Sequence, residues 1–170
     1  MRLALYHQYR PGMKSGDAIQ WKSNSFIGFQ IQQITGHDVN HTSLIVDVNE
    51  YDRKFQLEAL APGIMLTAIS QRLEDHDGEA WWLPLKSEFE NKREFINRIA
   101  FTYIGKRYDY RDLFKQIFSR VKPDPERLFC SEFAYLVWLS AGLELDNPDG
   151  WAPRPGDIPE LGIFKNEVKL

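Results

Sequence analysis

The 170 residues contain one cysteine, Cys130, in the run Leu128-Phe129-Cys130-Ser131-Glu132-Phe133-Ala134. Here an extended, proline-broken stretch gives way to a helical pattern, which predicts a helix beginning at the cysteine. A helix N-terminus presents unpaired N–H groups and partial positive charge. That environment favours the thiolate, the nucleophilic form of cysteine. The same N–H groups can hold the oxyanion that forms when a thiolate attacks a carbonyl. The competing reading is a buried structural cysteine packed between Phe129 and Phe133, since free cysteine is among the most buried residue types. A single cysteine can form neither an internal disulfide nor a multi-cysteine zinc site.

A cysteine nucleophile needs a base, normally histidine, and a group to orient it. The chain offers His7, His37, His41 and His76. His76, in Glu74-Asp75-His76-Asp77-Gly78, reads as part of a solvated loop, and His7 falls in a predicted first strand. His41 stands where the loop from Gly36 to Asn40 enters the strand around Leu44–Val48, a rigid mounting of the kind a base requires. Glu58 is the carboxylate inside the strand Phe55-Gln56-Leu57-Glu58-Ala59-Leu60. If that strand pairs with the one after His41, the acid comes near the imidazole; otherwise it is an exposed-face glutamate. A zinc reading also exists, with His37 and His41 at His-x-x-x-His spacing and Cys130 as a third ligand. That spacing places two imidazoles together only on a helix, and Gly36, Asp38 and Asn40 argue for a loop.

The elements that must carry these residues follow from periodicity and turn residues. Residues 2–8 and 17–22 read as short strands separated by turns at Pro11-Gly12 and Ser15-Gly16. Ile27, Ile31 and Ile34 predict a helix from Ser25 to Gly36. Strands follow at 42–49, 54–60, 63–69 and 79–85, the second and third joined across Pro62-Gly63 as a hairpin. The second half is mainly helical, over 89–105, about 110–119, and from Cys130 to Gly142. A proline-rich tail with a short final extended piece closes the chain. Strands first and helices later predict a single α+β domain over residues 1–170, with one mostly antiparallel sheet.

Composition narrows the classes. Lys and Arg number 21 against 24 Asp and Glu, a net charge of −3, which argues against a protein that grips nucleic-acid phosphates. Apolar runs are too short for an integral membrane segment. The start, Met1-Arg2-Leu3-Ala4-Leu5-Tyr6-His7-Gln8, turns polar before a signal peptide can develop, so a cytoplasmic location is expected. Seven basic residues between Lys106 and Arg127 against four acidic ones leave room for peripheral membrane contact or, more simply, a solvated helix face. Aromatic residues make up 14% of the chain, enough to build an apolar cleft as well as a core, with Trp81, Trp82 and Trp151 as candidate lining.

The ordered set Gly16-Asp17, Ser23-Asn24-Ser25, Ile34-Thr35-Gly36, His41 before Leu44-Ile45-Val46, Glu58-Ala59, Gly105 with Tyr108-Asp109, and Phe129-Cys130-Ser131-Glu132-Phe133 resembles a known family. It is similar to the circularly permuted, YiiX/YebB-like branch of the NlpC-type papain-like cysteine hydrolases, over roughly residues 15–165. The resemblance implies a permuted papain-like fold, with a mostly antiparallel sheet or partial barrel packed against helices. It implies Cys130 as nucleophile at a helix start, His41 as general base and acid, and Glu58 as the residue that fixes the imidazole. It sets Ser131, Tyr108 and Asp17 at or near a substrate pocket, and it calls for no metal or other cofactor. The activity implied is cleavage of an amide in a peptide, an amino-acid conjugate or an acyl-amide, with an ester as a further substrate class. Two alternatives stand beside it: an acyltransferase using the same three residues, and a non-catalytic module that binds an acyl or peptide ligand. The lack of a signal peptide and the Thr-Ser after His41 depart from many relatives.

Overall fold

The central strands are buried on both faces, with apolar side chains such as Leu57 alternating with buried polar ones such as Gln56 and Glu58. Phe55–Leu60 and Gly63–Ala68 form the expected hairpin. The computed structural model describes residues 2–23, 38–48, 52–60, 63–105, 130–147, 150 and 152–170. His37, Tyr108, Asp109, Trp151, the basic stretch from Lys106 to Arg127, and the helices predicted over 25–36 and 110–119 lie outside the described residues.

The architecture is α+β, with a six-stranded antiparallel sheet in the order β4-β3-β2-β1-β5-β6. The strands are β1 (Ala18–Ser23), β2 (His41–Val46), β3 (Phe55–Leu60), β4 (Gly63–Ala68), β5 (Gly78–Leu83) and β6 (Val168–Lys169). The described helices are α1 (Arg2–Tyr9), α2 (Ile69–Asp75), α3 (Arg93–Phe101) and α4 (Cys130–Ser140). Short 3-10 segments cover Arg10–Gly12, Ser87–Lys92 and Pro155–Leu161.

One face of the sheet, carrying Ala18, Leu44, Val46, Leu57, Ala59, Ile64 and Leu83, packs against α3 and α4 in the larger apolar cluster. Every residue of α4 from Cys130 to Trp138 is buried, as expected of a helix apolar nearly all round. Trp138 is fully buried and donates its indole N–H to the Gly16 carbonyl at 2.9 Å, tying α4 to the turn before β1. The opposite face, with Ile19, Trp21, Ile45, Ala80 and Trp82, packs under α1 and α2 in a smaller cluster. Gly78 is required where β5 starts, because its φ is +149° and a Cβ there would meet the Lys22 carbonyl oxygen at 1.8 Å.

Two expectations change. Residues 2–9 are a helix, not a strand: Leu3, Tyr6 and Tyr9, three apart, pack on the smaller cluster, a helical period hidden in a short apolar run. The segment after β4 is also helical, and Ile69 and Leu73, four apart, are its buried face. The predicted strands around His41, Glu58 and the tryptophan pair stand, within three residues at their ends.

Candidate functional site

His41 is the first residue of β2, and its ladder with β3 begins only at Leu44, paired with Leu57. His41, Thr42 and Ser43 therefore lie ahead of the β2–β3 pairing, where the two strands part. Continuing the register would set Glu58 opposite Ser43, on the face that His41 shares and diagonal to it, within reach of long side chains. Accordingly, His41 Nε2 meets Glu58 Oε2 at 3.0 Å.

Glu58 is completely buried, and its carboxylate is saturated. Oε2 takes the His41 ring and Arg72 Nε at 3.3 Å; Oε1 accepts from Thr67 Oγ1 at 2.6 Å and Gln56 Nε2 at 3.1 Å. Burial opposes ionisation, but the His41 hydrogen bond and charge, the Thr67 hydroxyl and the Arg72 charge together hold the carboxyl down at about 2. Behind it runs a further chain, in which Trp21 Nε1 donates to Ser43 Oγ at 2.9 Å and Ser43 Oγ donates to Gln56 Oε1 at 2.8 Å.

Cys130 opens α4 on the other side of the sheet, 9% exposed, and its sulfur interacts with His41. Burial would raise the thiol. The charge and hydrogen bond of His41, then the backbone N–H groups of Thr42 and Ser131, outweigh burial and carry Cys130 below the ordinary thiol value. For His41, burial pulls the ring down, but the charge and hydrogen bond of Cys130 and the hydrogen bond and charge of Glu58 raise it to about 9. With Nε2 engaged by Glu58, Nδ1 is the nitrogen left for the sulfur. Three side chains from β2, β3 and the start of α4 thus converge, and a thiolate–imidazolium pair backed by a carboxylate is the state they favour. Such a pair can attack an electrophilic carbon and then supply a proton to a leaving group.

The other sequence-derived candidates have different surroundings. Asp17 is wholly buried: Oδ1 accepts from Arg93 Nη1 at 2.7 Å and Leu85 N at 2.9 Å, and Oδ2 from Trp82 Nε1 at 2.9 Å and Lys14 N at 3.0 Å. These bonds make it a brace for the entry to β1. Ser131 is also buried, and its hydroxyl donates to the Pro153 carbonyl at 2.7 Å, pinning the tail to the start of α4. Tyr108 lies outside the described residues. His76 is not in a solvated loop: it is 6% exposed, packs edge-on against Trp21 at 5.0 Å, and its Nε2 lies 3.0 Å from the Lys22 carbonyl oxygen. His7 is exposed on α1. Trp82 is buried with its indole on Asp17, while Trp81 lies under Lys169 at 5.7 Å.

Sequence reasoning missed Arg72, Thr67 and Gln56. Thr67 and Gln56 share the face of Glu58 by register, Thr67 standing opposite Gln56, so the alternation of the hairpin was the signal for both. Arg72 had no such signal, since its contact with Glu58 joins α2 to β3 across the fold.

No protein-family model matches the chain, and no curated protein matches it. Among solved structures, it is similar to a crystal structure described as metalloprotein yiiX from Escherichia coli O157:H7, DUF1105. The TM-score is 0.60 at 25% identity, covering 79% of this chain and 69% of that one. The fold is YiiX-like.

Proposed function

We propose that this protein is a thiol hydrolase of the permuted papain-like kind, cleaving an amide bond in a peptide, an amino-acid conjugate or an acyl-amide. The observation that carries this reading is the coupling of Cys130 to His41, with Glu58 3.0 Å behind the imidazole. Order along the chain supports the permuted form, the histidine and acid preceding the cysteine where papain-like enzymes place the cysteine first.

In the reaction, the Cys130 thiolate attacks the carbonyl carbon and a C–S bond forms. The oxyanion is held by N–H at the start of α4. His41 gives its proton to the leaving nitrogen as the C–N bond breaks, which leaves a thioester on Cys130. Neutral His41 then takes a proton from water as the oxygen attacks that thioester. The C–S bond breaks, the acid departs, and the thiolate–imidazolium pair is restored. Glu58 stays ionised and keeps the ring oriented, as the acid of a triad does.

The YiiX neighbour is described as a metalloprotein, and the described residues of this chain do not gather a centre of that kind. Among the described residues no group of three or more His, Cys, Asp or Glu side chains is arranged to hold a metal ion. Glu58 already receives hydrogens on both oxygens, so it has no lone pair aimed at an ion.

The test is alkylation of Cys130 by iodoacetamide across pH, beside a screen of amide and ester substrates with Cys130→Ala as control. The expected result is alkylation at pH 6 roughly 100-fold faster than a free thiol, whose thiolate fraction there is well under ~1%. Ordinary thiol reactivity, unchanged by His41→Ala, would sink the proposal. Products appearing only when an amine or alcohol acceptor is added would reassign the enzyme as an acyltransferase.

A further inference from the structure

Arg72 belongs to no motif, yet it ends on the same oxygen as the His41 ring. Its Nε lies 3.3 Å from Glu58 Oε2, and the His41 Nε2 lies 3.0 Å from that atom. One carboxylate oxygen is thus shared between a permanent cation and a ring that gains and loses a proton. Arg72 is held from below as well, its guanidinium 5.3 Å from the centroid of the Trp21 ring. Trp21 is itself fixed, fully buried, with its indole N–H on Ser43 Oγ, which leads through Gln56 back to the other oxygen of Glu58. Arg72 and Glu58 are therefore joined twice, directly and through the Trp21-Ser43-Gln56 chain.

A carboxylate facing imidazole alone spends its full charge on the imidazolium. The ring then keeps its proton so firmly that it gives it up poorly to a leaving amine, and general acid–base chemistry works best when the two tendencies balance. A guanidinium on the same oxygen draws part of that charge away and repels the imidazolium. We propose that Arg72 is a positioning residue for the thiol–imidazole pair: it fixes the Glu58 carboxylate and shares its charge, so that His41 keeps a proton it can still release. The inference rests on the thiol-hydrolase reading of the same site.

The charged and titratable groups around Arg72 limit what else could produce the effect. On β3 there is Glu58, on β2 His41, and beyond it Cys130 at the start of α4. Past the end of α2 stands His76, whose pKa is lowered, first by burial and also by Arg72 and Arg2. Arg2 of α1 donates to the His76 carbonyl at 2.6 Å. From β4 the only polar contact on Glu58 is the neutral Thr67 hydroxyl. His76 faces backbone carbonyls rather than Glu58, so its titration reaches His41 only at longer range.

The experiment follows the His41 ring by proton NMR and Cys130 by iodoacetamide alkylation, from pH 4 to 11, in the wild type, Arg72→Met and Arg72→Lys. Methionine keeps an unbranched stem over Trp21 and removes the charge; lysine keeps the charge and loses the planar fork. Two transitions are expected in the wild type, the upper belonging to His41. In Arg72→Met the upper transition moves to higher pH by about 0.5–1 unit, the shift expected from deleting one cation several ångströms away in a partly screened site. In Arg72→Lys it stays within a few tenths of the wild type. A merely structural Arg72 would lower thermal stability in both variants and leave the upper transition in place. Circular dichroism selects folded protein, and if Arg72→Met does not fold, the Arg72→Lys position decides: a displacement of about 0.5 unit or more overturns the charge-sharing role. An upper transition unmoved by Arg72→Met overturns the role of Arg72 while leaving the hydrolase reading intact. A wild type with a single ordinary thiol transition and a His41 ring titrating near its usual value overturns both.

Discussion

Glu58 and Glu132 are both buried, one among the polar side chains beneath α2 and the other in α4 against the apolar side of the sheet. Their fates are opposite. Glu58 receives four donors and is held down at about 2. Among the described residues Glu132 Oε1 has no hydrogen-bond partner, and burial pushes its pKa up to about 8. Depth does not decide whether a carboxyl is charged; the donors arranged around it do. One region of the protein is built to keep an ion, and the other tolerates an acid only while it carries its proton.

The contrast can be broken most severely at Glu58. Glu58→Ala strands the His41 and Arg72 cations, and urea denaturation near pH 6 should show a loss of about 2–4 kcal/mol, moderated by the partial exposure of Arg72. Iodoacetamide labelling of Cys130 at pH 6 should slow with it. Titration tests the same asymmetry without mutation. A carboxyl whose folded pKa is depressed contributes stability that is intact above about 4.5 and lost as pH falls toward about 2. The acid limb of the denaturation midpoint should therefore be shallower in Glu58→Gln than in the wild type.

At Glu132 the sign reverses. Its folded pKa is raised, so the stability linked to it is complete below about 4.5 and declines as pH rises through about 8. Glu132→Gln should flatten that decline and stabilise the protein by about 1–2 kcal/mol at pH 8, the order expected when a buried charge is no longer demanded. A variant no more stable than the wild type at pH 8 would mean that Glu132 has a partner in solution. The smallest effect belongs to Phe95, half exposed on α3. Phe95→Ser should change the unfolding free energy by less than about 0.5 kcal/mol, and a larger loss would show that the outer face of α3 is covered.

Much of this arrangement was legible in the chain itself. The hairpin from Phe55 to Ala68 announces itself by alternation and Pro-Gly, and once β3 lies beside β2, Glu58 is near His41. Cys130 was readable as a helix start because prolines and extended residues give way there to a helical pattern. Arg72 was not legible, because its importance comes from a tertiary contact with no local signature, and its helix is two turns long. His76 misled for the same reason: three acidic neighbours and a glycine in sequence suggest solvent, while Trp21, which buries it, is more than fifty positions away. The helix at residues 2–9 was missed because an apolar run that short fits either period.

On the thiol-hydrolase reading proposed above, the diagonal placement of Glu58 behind His41 makes Cys130 reactivity a certificate of assembly. Strand side chains alternate, so sliding β3 by one position would offer the imidazole Leu57 or Ala59 instead of an acid. A molecule mispaired in that way would carry a sulfhydryl of ordinary reactivity. A chromogenic disulfide reagent applied in mildly acidic buffer would thus label first those copies whose strands have found their proper neighbours.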